Sequence, residues 1–145
     1  MSLNKLVICG VGLIGGSLAR ALKAAGAVKE VVGVGRSEAS LARARELGVI
    51  DRAAVSMAEA VAGADIVVLA APVAQTPALL AAIRPFLGGD TIVTDAGSTK
   101  TDAVTAAKAA LGDEVWRFVP GHPIAGAELS GVDAAKADLY LDRRV

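Results

Sequence analysis

Short runs of consecutive apolar residues alternate along this chain with stretches in which apolar positions recur at three and four. Leu6-Val7-Ile8-Cys9, Val31-Val32-Gly33-Val34, Ile66-Val67-Val68-Leu69 and Thr91-Ile92-Val93-Thr94 read as strands, apolar enough to be buried on both faces. From Leu13 to Ala25, the residues Leu18, Ala21, Leu22 and Ala25 mark one helix face, and Gly26 supplies the permissive C-terminal backbone. Glu38 to Leu47 predicts a second helix, ended by Gly48, and a weak strand over Ala53–Val55 and a short helix over Met57–Ala62 follow. Pro77–Arg84 reads as a helix with Pro77 in its first turn, after Pro72 has stopped the strand before it. A helix from about Thr101 to Leu111 carries Val104, Ala107 and Leu111 on one face, and Trp116–Val119 reads as a last short strand.

Strand, helix, strand, helix with short links is the pattern of an α/β domain with a doubly wound, mostly parallel sheet. The 145 residues fit one such domain, 1–145, with no internal repeat, linker or low-complexity stretch. The closing Asp142-Arg143-Arg144-Val145 reads as the start of a further extended segment, which makes this chain a portion of a longer protein by expectation.

Composition narrows the function classes. Hydrophobic residues make up 54% and aromatics only 3%, which suits small-residue helices packed on Val/Ile-rich strands. Fifteen basic and fifteen acidic residues give zero formal charge without a basic block, so neither nucleic acid nor an anionic membrane surface is an expected partner. No apolar run approaches the roughly 20 residues of a membrane span, and the start of the chain does not resemble a secretory signal. A cytoplasmic location is the corresponding expectation. The lone Cys9 lies in the first strand and reads as a small buried hydrophobe. One histidine and one distant cysteine make no metal-ligand set.

The chemistry-bearing motifs begin with Gly10-Val11-Gly12-Leu13-Ile14-Gly15, a GxGxxG between a strand and a helix. Gly10 allows a tight turn, Gly12 lets backbone approach a pyrophosphate, and Gly15 lets helix and strand pack closely, while the helix N-terminus attracts negative charge. NAD-binding units place an acidic residue about 20 residues on, to hold the ribose 2′-hydroxyl. This chain instead has Gly35, Arg36 and Ser37 there. The missing carboxylate and the presence of Arg36 favour NADP over NAD; the lesser alternative makes Arg36 a solvated loop residue and Ser37 a helix cap.

Ligands of open parallel sheets bind outside the carboxyl ends of the strands. That edge gathers the glycine loop, Gly35–Ser37, Ala70–Val73 with Ala71 and Pro72 as candidate cofactor contacts, Asp95–Lys100 and Gly121–Glu128. Within Asp95-Ala96-Gly97-Ser98-Thr99-Lys100, Thr99 and Asp102 can start a capped helix, leaving the Ser98 hydroxyl for a ligand. His122 is the only histidine. A neutral imidazole there can accept a proton from a substrate hydroxyl as hydride leaves the same carbon.

Three motifs together, Gly10 to Ser17, Thr94 to Lys100 and Gly121-His122-Pro123-Ile124-Ala125-Gly126-Ala127-Glu128-Leu129-Ser130-Gly131, resemble the prephenate/arogenate dehydrogenases of tyrosine biosynthesis over essentially the whole chain. The resemblance implies an NAD(P)-dependent oxidative decarboxylation of prephenate or arogenate by a Rossmann-type domain. It gives His122 the role of polarising the ring hydroxyl and Ser98 that of bridging histidine, substrate and nicotinamide. Glu128 falls at a position that some members use to control access to the substrate. The family also has a helical C-terminal domain that forms the homodimer and supplies a substrate-binding arginine. None of it is present in this sequence, so the isolated chain is expected to bind NADP and turn over little substrate. Other readings stay open: a different Rossmann oxidoreductase such as an imine or β-hydroxyacid dehydrogenase, a non-catalytic NADP-binding module, or a purely structural α/β domain.

Overall fold

β1, Leu3–Cys9, is the axis on which the domain is assembled. Its last four residues are buried on both sides, with helices covering each face. In the computed structural model, which describes residues 2–97, 100–121, 132 and 135–139, the elements in order are β1, α1 (Leu13–Ala24), β2 (Val28–Val34), α2 (Glu38–Glu46), β3 (Arg52–Ala53), α3 (Met57–Val61), β4 (Ile66–Leu69), α4 (Thr76–Ile83), β5 (Ile92–Asp95), α5 (Lys100–Leu111) and β6 (Phe118–Val119). The six strands form one sheet in the order β3-β2-β1-β4-β5-β6. Every adjacent pair is parallel. This is the doubly wound Rossmann order, which reverses direction between β1 and β4.

The alternation of side chains along the strands divides the interior in two. Leu6, Ile8, Val31 and Val68 face α1 and α2, where Ala19, Leu41, Ala44 and Ile50 complete one core. Val7, Val32, Val67, Leu69 and Val93 face the other way and pack with Leu80, Ile83, Ala103, Ala107 and Leu111. Cys9 belongs to this second core, as a buried free thiol that burial pushes up to about 12. The helices end as their glycines require. After α1, Gly26 adopts φ +66° and Ala27 donates back to the Leu22 carbonyl at 2.9 Å. After α2, Gly48 adopts φ +73° and Val49 donates to Ala44 at 2.9 Å.

The amino ends of the strands are closed by side chains. Asp51, just before β3, accepts from the Val31 amide at 2.7 Å and pairs with Lys23 at 3.0 Å. Asp65, just before β4, accepts from the amides of Asn4 and Lys5 at 2.7 and 3.1 Å. Thr91, just before β5, donates its hydroxyl to the Ala64 carbonyl at 2.6 Å.

Several sequence-derived boundaries shift. β1 and β2 start three residues earlier than their apolar runs, because backbone pairing from Leu3 with Val28 carries them through polar Asn4, Lys5, Lys29 and Glu30. The weak strand is Arg52–Ala53 rather than Ala53–Val55. After Ala54 donates to Gly33, the chain leaves the sheet and Val55 is 92% exposed. Trp116 and Arg117 are not strand but the end of a 3₁₀ turn, Gly112–Arg117, and β6 begins only at Phe118. Arg117 is drawn inward there, donating to the carbonyls of Gly89 and Thr91 at 2.8 and 3.1 Å, while Trp116 stays half-exposed over its guanidinium. α4 begins at Thr76 and stops at Ile83, with Pro77 in its first turn as expected.

Candidate active site

The strand-order reversal leaves a crevice between the carboxyl ends of β1 and β4, where a cavity of about 540 Å³ opens. Its floor is the glycine loop. Gly10 turns the chain out of β1 with φ +95°, and a Cβ there would sit 2.6 Å from the Ala71 nitrogen. A Cβ on Gly15 would collide with the Gly10 carbonyl and lie 2.7 Å from the Ile8 side chain. Both positions require glycine for the fold itself.

Gly12 is different. It is the N-cap of α1, no side chain caps it, and no acidic residue stands in the first turn. Nothing lies within 4 Å of a Cβ built on it. Gly12 therefore brings no capping side chain of its own to the amino end of a twelve-residue helix, whose partial positive charge favours an anion. A pyrophosphate would fit this cradle, and the residues present suit a dinucleotide.

The remaining sequence-predicted positions distribute as follows. Val11, Ala71 and Pro72 line the cavity with Gly10 and Gly12. Leu13, Ile14 and Gly15 form the first turn of α1 and lie outside its lining. Arg36 and Ser37 line its far end past β2, where Gly35 is exposed. Ser37 also caps α2, its hydroxyl accepting from the Ser40 amide at 3.1 Å, so the cap reading of this residue holds at the same place as the cavity lining. No carboxylate is among the described residues lining this cavity. Ser98, His122 and Glu128 lie outside the described residues.

Two sets of residues went unnoticed in the sequence. Ser40, Gln75 and Leu79 line the cavity from α2 and the start of α4. Helical spacing marks Leu79 as apolar but does not say which ligand-facing gap the helix borders. The other is Asp95, the last residue of β5, 5% exposed. One of its oxygens accepts from the Gly97 amide at 3.2 Å and the other from the Gly121 amide at 3.1 Å. The TDAGSTK motif drew attention to Ser98, whereas the Asp95 contact spans 26 residues and has no local signature.

A glycine loop leading into a helix N-terminus and a crevice at the strand-order reversal define a Rossmann-type dinucleotide-binding domain. The chain belongs to the prephenate dehydrogenase family, whose nucleotide-binding domain matches residues 18–145. It is 38% identical over 139 residues to prephenate dehydrogenase of Lactococcus lactis subsp. cremoris, covering 95% of this chain and 39% of that protein. The crystal structure of A. aeolicus prephenate dehydrogenase in complex with hydroxyphenyl propionate and NAD+ superposes with a TM-score of 0.88 at 34% identity, covering 99% of this chain and 49% of that one. Synechocystis arogenate dehydrogenase gives 0.83 at 31% identity, with 96% and 48% covered. The chain thus spans about two fifths to one half of the length of these relatives.

Proposed function

We propose that this domain binds NADP for the oxidative decarboxylation of prephenate or arogenate in an enzyme of the relatives' length. The observation that carries this reading is the convergence on one edge of the sheet. The amino end of α1 lies there, as does the clamp that ties Gly97, before Ser98, to Gly121, before His122. NADP, when bound, supplies the hydride acceptor. The backbone of Gly10–Gly12 and the α1 terminus hold the pyrophosphate, and Ala71 and Pro72 border its nicotinamide side. Arg36 and Ser37 take the ribose 2′-phosphate through charge-assisted bonds, and a lining free of carboxylates removes repulsion against it.

His122 accepts a hydrogen bond from the hydroxyl on the ring carbon that loses hydride, and Ser98 helps align that hydroxyl. Glu128 contributes to the polar rim that admits substrate. The electron pair of the departing carboxylate enters the ring, carbon dioxide leaves, and the ring becomes aromatic. The domain's task is alignment and polarisation, since the driving force lies in the substrate.

An absorbance assay on a full-length enzyme carrying this domain, crossing prephenate and arogenate with NAD and NADP, tests the reading. NADP reduction with at least one substrate is expected, and His122→Asn should lower kcat about 10²–10⁴-fold with NADP still bound. No reduction with either substrate sinks it. Arg36→Ala should weaken NADP about tenfold relative to NAD, the loss of one or more charge-assisted bonds. An unchanged preference removes the phosphate-pairing role. The 145-residue chain alone should bind NADP and give no measurable turnover.

A further inference from the structure

We propose that Asp95 is a positioning residue that fixes, through one carboxylate, the two chain segments carrying Ser98 and His122. The inference rests on the roles given to those two residues above.

Each segment leaves the sheet at a defined point. Along β5, the last ladder amide is Ala96, which donates to the Leu69 carbonyl at 3.0 Å. The next N–H in the chain, Gly97, goes to Asp95 Oδ2. Beside it, β6 ends at Val119, whose carbonyl accepts the Thr94 hydroxyl at 2.6 Å. Pro120 follows and has no N–H to give, so Gly121 carries the first available amide past the ladder. It goes to Asp95 Oδ1. Both exits are therefore tied, at their first free donor, to the two oxygens of a single buried side chain. Ser98 and His122 are the next residues along each exit.

The chemistry of the site selects aspartate. Two amides need two acceptors on one short side chain, held at the end of a strand. Asparagine offers one acceptor and turns an NH₂ toward the other donor. Glycine at 97 is part of the same arrangement, because a Cβ there would sit 3.2 Å from Oδ2. None of Asp95, Gly97 and Gly121 lines the dinucleotide cavity, so breaking the clamp leaves the contacts of Gly10, Gly12, Arg36 and Ser37 in place. Displacing reacting groups by about 1 Å costs on the order of 10² in rate, which sets the expected effect.

The test uses the full-length enzyme. Asp95→Asn should lower kcat about 100-fold while the dissociation constant for NADP, measured by titration, stays within threefold. Thr94→Val removes the neighbouring Thr94–Val119 bond but neither tie, and should keep kcat within threefold. Gly97→Ala presses on the carboxylate without removing it. It should lower kcat about tenfold with NADP affinity kept, and it decides the matter if Asp95→Asn does not fold. Unchanged kcat in both Asp95→Asn and Gly97→Ala, or a kcat loss matched by an equal loss of NADP affinity, overturns the proposal. Should the wild-type enzyme oxidise neither substrate, the functional reading fails separately. Amide hydrogen exchange then decides the clamp: Gly97 and Gly121 exchanging at least tenfold faster in Asp95→Asn supports it, and equal exchange overturns it.

Discussion

At the amino edge of the sheet, the residue before each of β3, β4 and β5 spends its side chain on a neighbouring strand or turn. Asp51 takes the Val31 amide, Asp65 takes those of Asn4 and Lys5, and Thr91 reaches the Ala64 carbonyl. At the carboxyl edge, Gly12 starts α1 without a capping side chain of its own and with room for a Cβ, and the Asp95 side chain ties loops rather than extending a ladder. Both edges satisfy backbone groups with short polar side chains. The amino edge completes that satisfaction between strands and so contributes to stability, whereas the carboxyl edge borders the cavity and is the side on which such sheets bind ligands.

The contrast should fail at Gly15, which serves both purposes. Gly15→Val forces a side chain against the Gly10 carbonyl and Ile8. It should cost about 3 kcal/mol of stability and abolish dinucleotide binding. Denaturant unfolding followed by the fluorescence of Trp116, the single tryptophan, together with NADP titration, checks both effects. Gly12→Ser separates them. Serine is a good N-cap and nothing crowds it, so stability should hold within about 0.5 kcal/mol. Its side chain occupies ligand space and engages an α1 amide, so NADP affinity should fall at least about tenfold, or roughly 1.4 kcal/mol. A variant that binds NADP normally would remove Gly12 from the cradle.

The amino edge should respond in the opposite sense. Thr91→Val leaves the buried Ala64 carbonyl without its side-chain donor and should cost about 1–2 kcal/mol in the same unfolding measurement, with NADP affinity unchanged. The smallest effect belongs to Asp51→Asn. Burial pushes the Asp51 carboxyl up, but the Val31 amide together with the hydrogen bond and charge of Lys23 outweigh it and hold it below the usual carboxylate range. A lowered folded pKa means stability that is present above the unfolded value of about 4 and is lost as pH falls through the folded one. The pair is partly exposed, so wild type should exceed Asp51→Asn by no more than about 1 kcal/mol at neutral pH. The gap should close on titration to acid, and a gap independent of pH would contradict the assignment.

What could be read from the sequence was local. Leu6–Cys9 followed by three spaced glycines and a helical period marks strand, turn and helix within twenty residues, and the alternation of elements points to a doubly wound sheet without giving its strand order. Cys9 was legible for the same reason, as an apolar position among apolar neighbours. The strand beginnings at Leu3 and Val28 were not, because their residues are held by pairing with each other rather than by burial. Arg117 resembles a strand residue until the carbonyls of Gly89 and Thr91, far back in the chain, draw it inward. Asp95 was passed over on the same grounds, since only folding brings Gly121 to it.

The position of β1 has a consequence for synthesis. The sheet's central strand is made first and gains β2 on one side once residue 34 has emerged, but its other partner is complete only at residue 69. At ordinary rates of chain elongation, those 35 residues take roughly 2–7 s. During that interval the nascent chain presents Leu6–Cys9 with one unpaired edge, an apolar strand ready to accept any other strand. Until β4 pairs with it, that edge is open to the wrong strand.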